Sequence, residues 1–188
     1  MPDTFDVYFV AQFDRPFSSF GTWNGATSAA GSRFARGPHS GGWVTFDTSR
    51  KHRVRMRVGI SYTSVAEARK NLLAEGGWDL TNVRAEAQRR WRALLERASV
   101  TGGTRRERVE FYTALYHVLL HPGVYSDDDG SYVGFDKRLH RARPGHAEYT
   151  NFSDWDIYRT QVPLMALLAP HETSDMMQSL VDAEKQDG

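Results

Sequence analysis

Cysteine is absent from this 188-residue chain, which excludes disulfides and thiolate metal sites and leaves the redox compartment open. No apolar run approaches the roughly 18 residues of a membrane span, and Met1-Pro2-Asp3 does not read as the start of a secretory leader. No membrane segment is expected. An excess of one charge is missing too. Because 24 Lys and Arg face 23 Asp and Glu, no electrostatic footprint points to nucleic acid or to an anionic membrane, and the partner reads as neutral. What remains, 40% hydrophobic and 25% charged positions, belongs to a globular chain long enough for one domain or parts of two.

Residues 3–63 read as strands. Phe5, Val7, Phe9, Ala11 and Phe13 fall on every second position, and Val54, Met56, Val58, Ile60 and Tyr62 alternate with Arg53, Arg55, Arg57, Gly59 and Ser61. The apolar sets are expected to face a core and the arginines to face solvent. Residues 19–24 and 43–47 form shorter strands, and the Gly/Ser-rich stretch 25–42 reads as a long connection.

After Tyr62 the period becomes helical. Ser64 and Glu67 form a capping box that opens a helix over 65–75, ended by Gly76-Gly77. A second helix over 82–98 carries Val83, Ala87, Trp91, Leu94, Leu95 and Ala98 as one apolar stripe. The opposite face bears Arg84, Arg89, Arg90, Arg92 and Arg97 with Glu86 and Glu96 interleaved, and reads as solvated rather than as a nucleic-acid patch. Thr104 and Glu107 cap a third helix over 105–121 that is apolar on nearly every side and is expected to be buried. His117 and His121 stand at a spacing that can hold a metal, although packing or a carbohydrate contact is the plainer reading. Short strand pieces are expected near 99–101 and 125–133. In the latter, Asp129-Gly130 reads as a hairpin turn rather than a calcium loop, since no Glu closes the acidic run. Helices over 155–168, kinked by Pro163, and over 172–185 complete the chain, with Met176 and Met177 as core filling.

The stretch Tyr149–Arg159 concentrates the chemistry. Ser153 and Asp156 have the spacing of a capping box, Trp155 offers a flat apolar face, Asp156 accepts hydrogen bonds through two oxygens, and Arg159 is placed to orient that carboxylate. Such a set suits a sugar ring. The plainer reading makes Trp155 and Tyr158 core residues and the acids complements of the helix dipole.

Five motifs occur in order: Ser61-Tyr62-Thr63-Ser64 with Ala68-Arg69-Lys70-Asn71-Leu72; Phe111-Tyr112-Thr113-Ala114-Leu115-Tyr116-His117 with His121-Pro122; Asp129-Gly130 with Gly134-Phe135-Asp136; Tyr149-Thr150-Asn151-Phe152-Ser153 with Trp155-Asp156-Ile157-Tyr158-Arg159; and Ser174-Asp175-Met176. Together they resemble glycoside hydrolase family 92, a family of calcium-dependent exo-acting α-mannosidases, many of them α-1,2-specific. The resemblance implies an α+β multidomain fragment: the end of an antiparallel β-sandwich (1–63), a helical linker (64–103) and the first helices of an (α/α)6 toroid (104–188). It implies removal of terminal mannose from a mannose-containing glycan by inversion, assisted by calcium, in a secreted or periplasmic setting. The general acid, the base and the calcium ligands are then expected beyond residue 188, leaving the chain alone inactive and no catalytic residue within it. Asp156 is the expected contact to the mannose hydroxyls, with Trp155 shaping the pocket, Arg159 orienting Asp156, and His117, Asn151 and Asp136 as further substrate-binding candidates. Asp154 departs from the family pattern, which has a larger uncharged residue there.

Two other readings are open. A non-catalytic carbohydrate-binding module would use Trp23 and Trp43 on a sheet face, and a helical scaffold would bury Trp155 and Asp156 completely.

Overall fold

The computed structural model describes residues 5–187. Residues 1–4 and 188, and with them the start of the first expected strand and the outer ends of the expected domains, lie outside the described residues. The element order is β1 (Tyr8–Phe13), β2 (Ser19–Asn24), β3 (Thr27–Ala30), β4 (Ser40–Thr45), β5 (Met56–Ser61), α1 (Val65–Glu75), α2 (Leu80–Leu95), α3 (Arg105–Val118), β6 (Gly123–Val124), β7 (Ser131–Val133), β8 (Leu139–Arg141), β9 (Tyr149–Thr150), α4 (Asp154–Ile157), α5 (Gln161–Leu168) and α6 (Pro170–Asp187). This is a mixed α and β chain with antiparallel sheets and, among the described residues, six helices. It divides into two compact units, one made of residues 11–58 and the other of the segments on either side.

In the unit of residues 11–58, β2 is the central strand of a three-stranded sheet in the order β3-β2-β4. The expected long connection therefore contains a strand. Gly25, at φ 57°, occupies the first of two loop positions between β2 and β3, where a positive φ matches the hairpin to the strand twist. Trp23 pairs with Gly41 and Trp43 with Gly21 across β2 and β4, and each indole lies where a Cβ on the facing glycine would stand. The two tryptophans thus cover the glycines of their own sheet. The carboxylate of Asp14 takes hydrogen bonds from the backbone and the guanidinium of Arg55, which lower its pKa.

The other unit shows why the strand phase is inverted. The expected alternation is present, but Phe5, Val7, Phe9 and Ile60 are exposed, while Val10, Gly59 and Ser61 are buried. Helix α1 decides this: a Cβ at Gly59 would stand 2.2 Å from the carbonyl oxygen of Ala68, so only glycine lets the helix lie so close to the strand. Val10, Ala68 and Leu72 form the core there, with Tyr8 packed on it. Helix α1 keeps its expected bounds, with Ser64 capping the amide of Glu67. At its foot, Asp127 is buried and accepts from Ser61 Oγ at 2.9 Å, Thr63 Oγ1 at 2.6 Å and Asn71 Nδ2 at 2.7 Å. The first acid of the Asp-rich run therefore ties a strand end, a helix and a loop together. Asp129 accepts from the Ser131 amide and pairs with Arg141, so these acids have protein donors rather than the geometry of a calcium loop.

Several expectations need correction. No strand forms at 99–101, and β6 pairs with β9 rather than with β7. The hairpin that forms joins β7 to β8 through residues 134–138, with Lys137 at φ 61°. Helix α3 has its capping box, but only Leu115 is buried, and Val109, Phe111 and Tyr116 are exposed; a helix apolar all round needs cover on every side, and the described residues supply part of it. In α2, which ends at Leu95 rather than at the expected residue 98, Trp91, Leu94 and Leu95 are half-buried but Val83 and Ala87 are exposed, while Arg89 and Arg90 pair with Glu86 on the solvated face. The expected helix 155–168 is two helices, interrupted at residues 158–160. Pro163 is the third residue of α5, within the first turn, where its missing N–H costs no intrahelical bond. The Gln161 side chain instead donates to the carbonyls of Val118 and His121 at the end of α3. Met176 is buried and Met177 exposed, so one methionine of the pair fills the core.

Candidate functional site

Short β9 leads into Asn151, which takes φ 62°, a left-handed conformation that asparagine tolerates better than most residues. The chain then starts the single turn of α4, and the aromatics of that turn point outward. Trp155 is 87% exposed and Tyr158 is exposed as well, which removes the reading of both as core residues. Ile157 is the residue of the turn that is buried. Asp156 is exposed beside Trp155, contrary to what a helical scaffold requires.

The carboxylate of Asp156 is oriented, but not by the expected partner. Ser153 stands at the N-cap position without bonding a helical amide; its hydroxyl donates to Asp156 Oδ2 at 2.6 Å. Arg159 lies over the ring of Tyr158, 5.2 Å from its centroid, and its Nε donates to the Tyr158 hydroxyl. The α4 helix ends before Arg159, so the i, i+3 relation to Asp156 that a continuous helix would provide is replaced by a side-chain stack. Ser153 is the orienting group that the sequence disguised as a cap.

The remaining candidates lie elsewhere on the chain. His117 is exposed in the last turn of α3 with its ring 5.7 Å from that of Tyr116, and His121 falls past the helix end, so the two do not share a helix face. Asp136, in the β7–β8 turn, accepts from the Arg138 amide and from His140 Nε2 at 2.9 Å, which hold its pKa below the ordinary carboxylate value. It lines a cleft of about 710 Å³ with Tyr132, Glu148, Asp175, Asp182 and Gln186, a cleft that includes neither Trp155 nor Asp156. The sequence-derived set therefore separates into Asn151, Trp155, Asp156 and Arg159 around α4, with His117 and Asp136 apart.

The cleft contains acids that the sequence reading did not single out. Glu148 is 7% exposed, and burial, reinforced by the nearby Asp182 carboxylate, raises its pKa to about 7 despite an opposing hydrogen bond from Ser179. Nothing in a lone Glu before a two-residue strand signals burial. His171 and Asp175, four apart on α6, were visible as a same-face pair; His146 joins them only through the fold. This trio is the group of three potential metal ligands found among the described residues. Calcium takes roughly six to eight oxygen ligands. One carboxylate with two imidazoles does not fit that requirement, and no step below is routed through calcium.

The family model for the glycosyl hydrolase family 92 N-terminal domain matches residues 2–61, and that for the family 92 catalytic domain matches residues 67–188. No curated protein matches the chain. Among solved structures, a family GH92 inverting mannosidase from Bacteroides thetaiotaomicron VPI-5482 superposes with a TM-score of 0.89 at 27% identity, over 100% of this chain and 26% of that one. A family GH92 α-mannosidase from Bacteroides thetaiotaomicron gives 0.81 at 27% identity over 96% of this chain and 25% of its own. The latter is also solved in complex with mannoimidazole, with 24% of that chain covered. This chain spans about a quarter of the length of these relatives. With one family model over residues 2–61 and a second over residues 67–188, the chain belongs to glycosyl hydrolase family 92.

Proposed function

We propose that this chain serves a glycoside hydrolase that removes terminal α-linked mannose from glycans, with inversion, and that Trp155 and Asp156 contribute to the subsite for the terminal sugar. The observation that carries this reading is the pairing of an outward-facing Trp155 with an oriented carboxylate on the same helical turn. An indole face covers the apolar side of a pyranose while a two-oxygen acceptor takes its vicinal hydroxyls, which is the division of labour that sugar rings select. Family membership and the mannoimidazole complex of a relative favour mannose as that sugar.

In the proposed reaction, a carboxylic acid protonates the leaving oxygen and a carboxylate activates water on the opposite face of the ring, the two lying roughly 6.5 to 9.5 Å apart. Both are assigned outside residues 1–188, as are the calcium ligands. The role of this chain is orientation: Ser153 holds Asp156, Asp156 holds the hydroxyls, and Trp155 excludes water from one face of the ring. Arg159, tied to Tyr158, shapes the rim rather than steering Asp156. We further assign residues 1–63 to a β-sandwich, 64–103 to a helical linker and 104–188 to the start of an (α/α)6 toroid. Kinetics of Trp155→Ala in the complete enzyme on α-1,2-mannobiose test the subsite. We expect a loss of kcat/KM of roughly tenfold or more, from apolar burial of the indole face worth about 1.5–3 kcal/mol. An unchanged kcat/KM would remove Trp155 from the subsite.

A further inference from the structure

Apart from the α4 turn, α6 and the loop before β9 bring three potential ligands together. His171 and Asp175 stand one turn apart on α6, and the loop between β8 and β9 lays His146 beside them. Asp175 is 5% exposed; its Oδ1 lies 2.5 Å from His146 Nδ1 and its Oδ2 3.8 Å from His171 Nδ1. The two imidazole rings are parallel within 8°, with centroids 5.2 Å apart. One ligand atom from each residue falls within 4.8 Å of the other two.

We propose that His146, His171 and Asp175 bind one divalent transition-metal ion of the zinc type, with water in the remaining coordination positions. Two imidazoles and a carboxylate are a donor set for zinc and its neighbours rather than for calcium or magnesium. Zinc–ligand bonds of about 2.0 to 2.2 Å in a tetrahedron place ligand atoms roughly 3.3 Å apart. The contacts of 2.5 and 3.8 Å, each to a different oxygen of Asp175, and the 4.8 Å span of the trio leave the ligand atoms within side-chain rotation of that separation. The Ala147 amide donates to Asp175 Oδ2 at 3.1 Å and fixes the carboxylate. Binding through Nδ1 uses the neutral His146 tautomer that carries its proton on Nε2. The ion ties the loop before β9 to α6 at the edge of the cleft that Glu148 also lines. The inference is independent of the glycosidase reading, since none of the three residues belongs to the α4 site.

The test uses the tag-free 188-residue chain. Cobalt(II) is titrated while the visible absorption of a low-coordinate site is followed, and zinc affinity is measured by competition with a chromophoric chelator. We expect one ion per chain and a melting temperature raised by zinc. His171→Ala removes an exposed ligand without touching the His146–Asp175 contact, so it is expected to fold; it should weaken binding by roughly tenfold or more. His117→Ala should leave binding unchanged. Absence of the cobalt spectrum, zinc affinity unaffected by His171→Ala, or an equal loss in His117→Ala would each overturn the proposal.

Discussion

Asp156 and Glu148 are carboxylates with different consequences. Asp156 is exposed and held by one hydroxyl, so Asp156→Ala should hardly change the melting temperature. In the complete enzyme it removes hydrogen bonds to a charged acceptor, each worth about 1.5 to 3 kcal/mol, and should lower kcat/KM by roughly two orders of magnitude. Ser153→Ala, which frees the carboxylate to rotate, should reproduce part of that loss. Normal kinetics for Asp156→Ala would exclude it from the subsite. Glu148 acts on stability. Its folded pKa of about 7 lies above the ordinary value of 4.5, so the folded state binds the proton more tightly than the unfolded chain. Its contribution is therefore full below about pH 4.5, falls as the pH rises to about 7, and is level beyond. Glu148→Gln removes this dependence. Its stability relative to the parent should be higher by about 1–2 kcal/mol at pH 8 than at pH 4, the open side of the cleft screening the rest. Thermal melts at the two pH values decide it, and an equal offset at both would contradict the raised pKa.

At the scale of elements, junctions carry the specificity. Asp127 receives donors from Ser61, Thr63 and Asn71, so Asp127→Ala removes the buried acceptor that these three side chains share. We expect a loss of about 3 kcal/mol, larger than for Asp127→Asn, which keeps one acceptor oxygen. Gly59→Ala should be comparably harmful, because the added methyl meets the backbone of α1 rather than a movable side chain. Denaturant unfolding of the three variants orders these effects. The outward apolar residues Phe5, Val7, Phe9 and Ile60, together with Leu167 near the end of α5, predict that the isolated chain binds a hydrophobic dye and self-associates. A monodisperse chain that binds no dye would show that these faces are not available to partners.

For the whole molecule, the 188-residue chain alone should release no mannose from α-1,2-mannobiose, with or without calcium. Sugar release by the chain, followed by chromatography, would relocate the catalytic carboxylates into residues 1–188. Much of this molecule follows from local pattern. The caps at Ser64 and Thr104 set helix starts because a side-chain oxygen meets an amide three residues on, a relation the sequence spells out. The Trp155-Asp156 pair could be proposed from the sequence as chemistry concentrated in adjacent residues, whereas the expected cap by Ser153 does not form. The buried face of β1 and β5 was not legible, because alternation defines two faces and only the approach of α1 to Gly59 decides which is covered. Nor were the partners of Asp156 and Asp127 or the raised pKa of Glu148. Each depends on groups that chain reversal, helix breaks and loop paths bring together, and hydrogen bonds and desolvation act over a few ångströms of space whatever the separation along the chain.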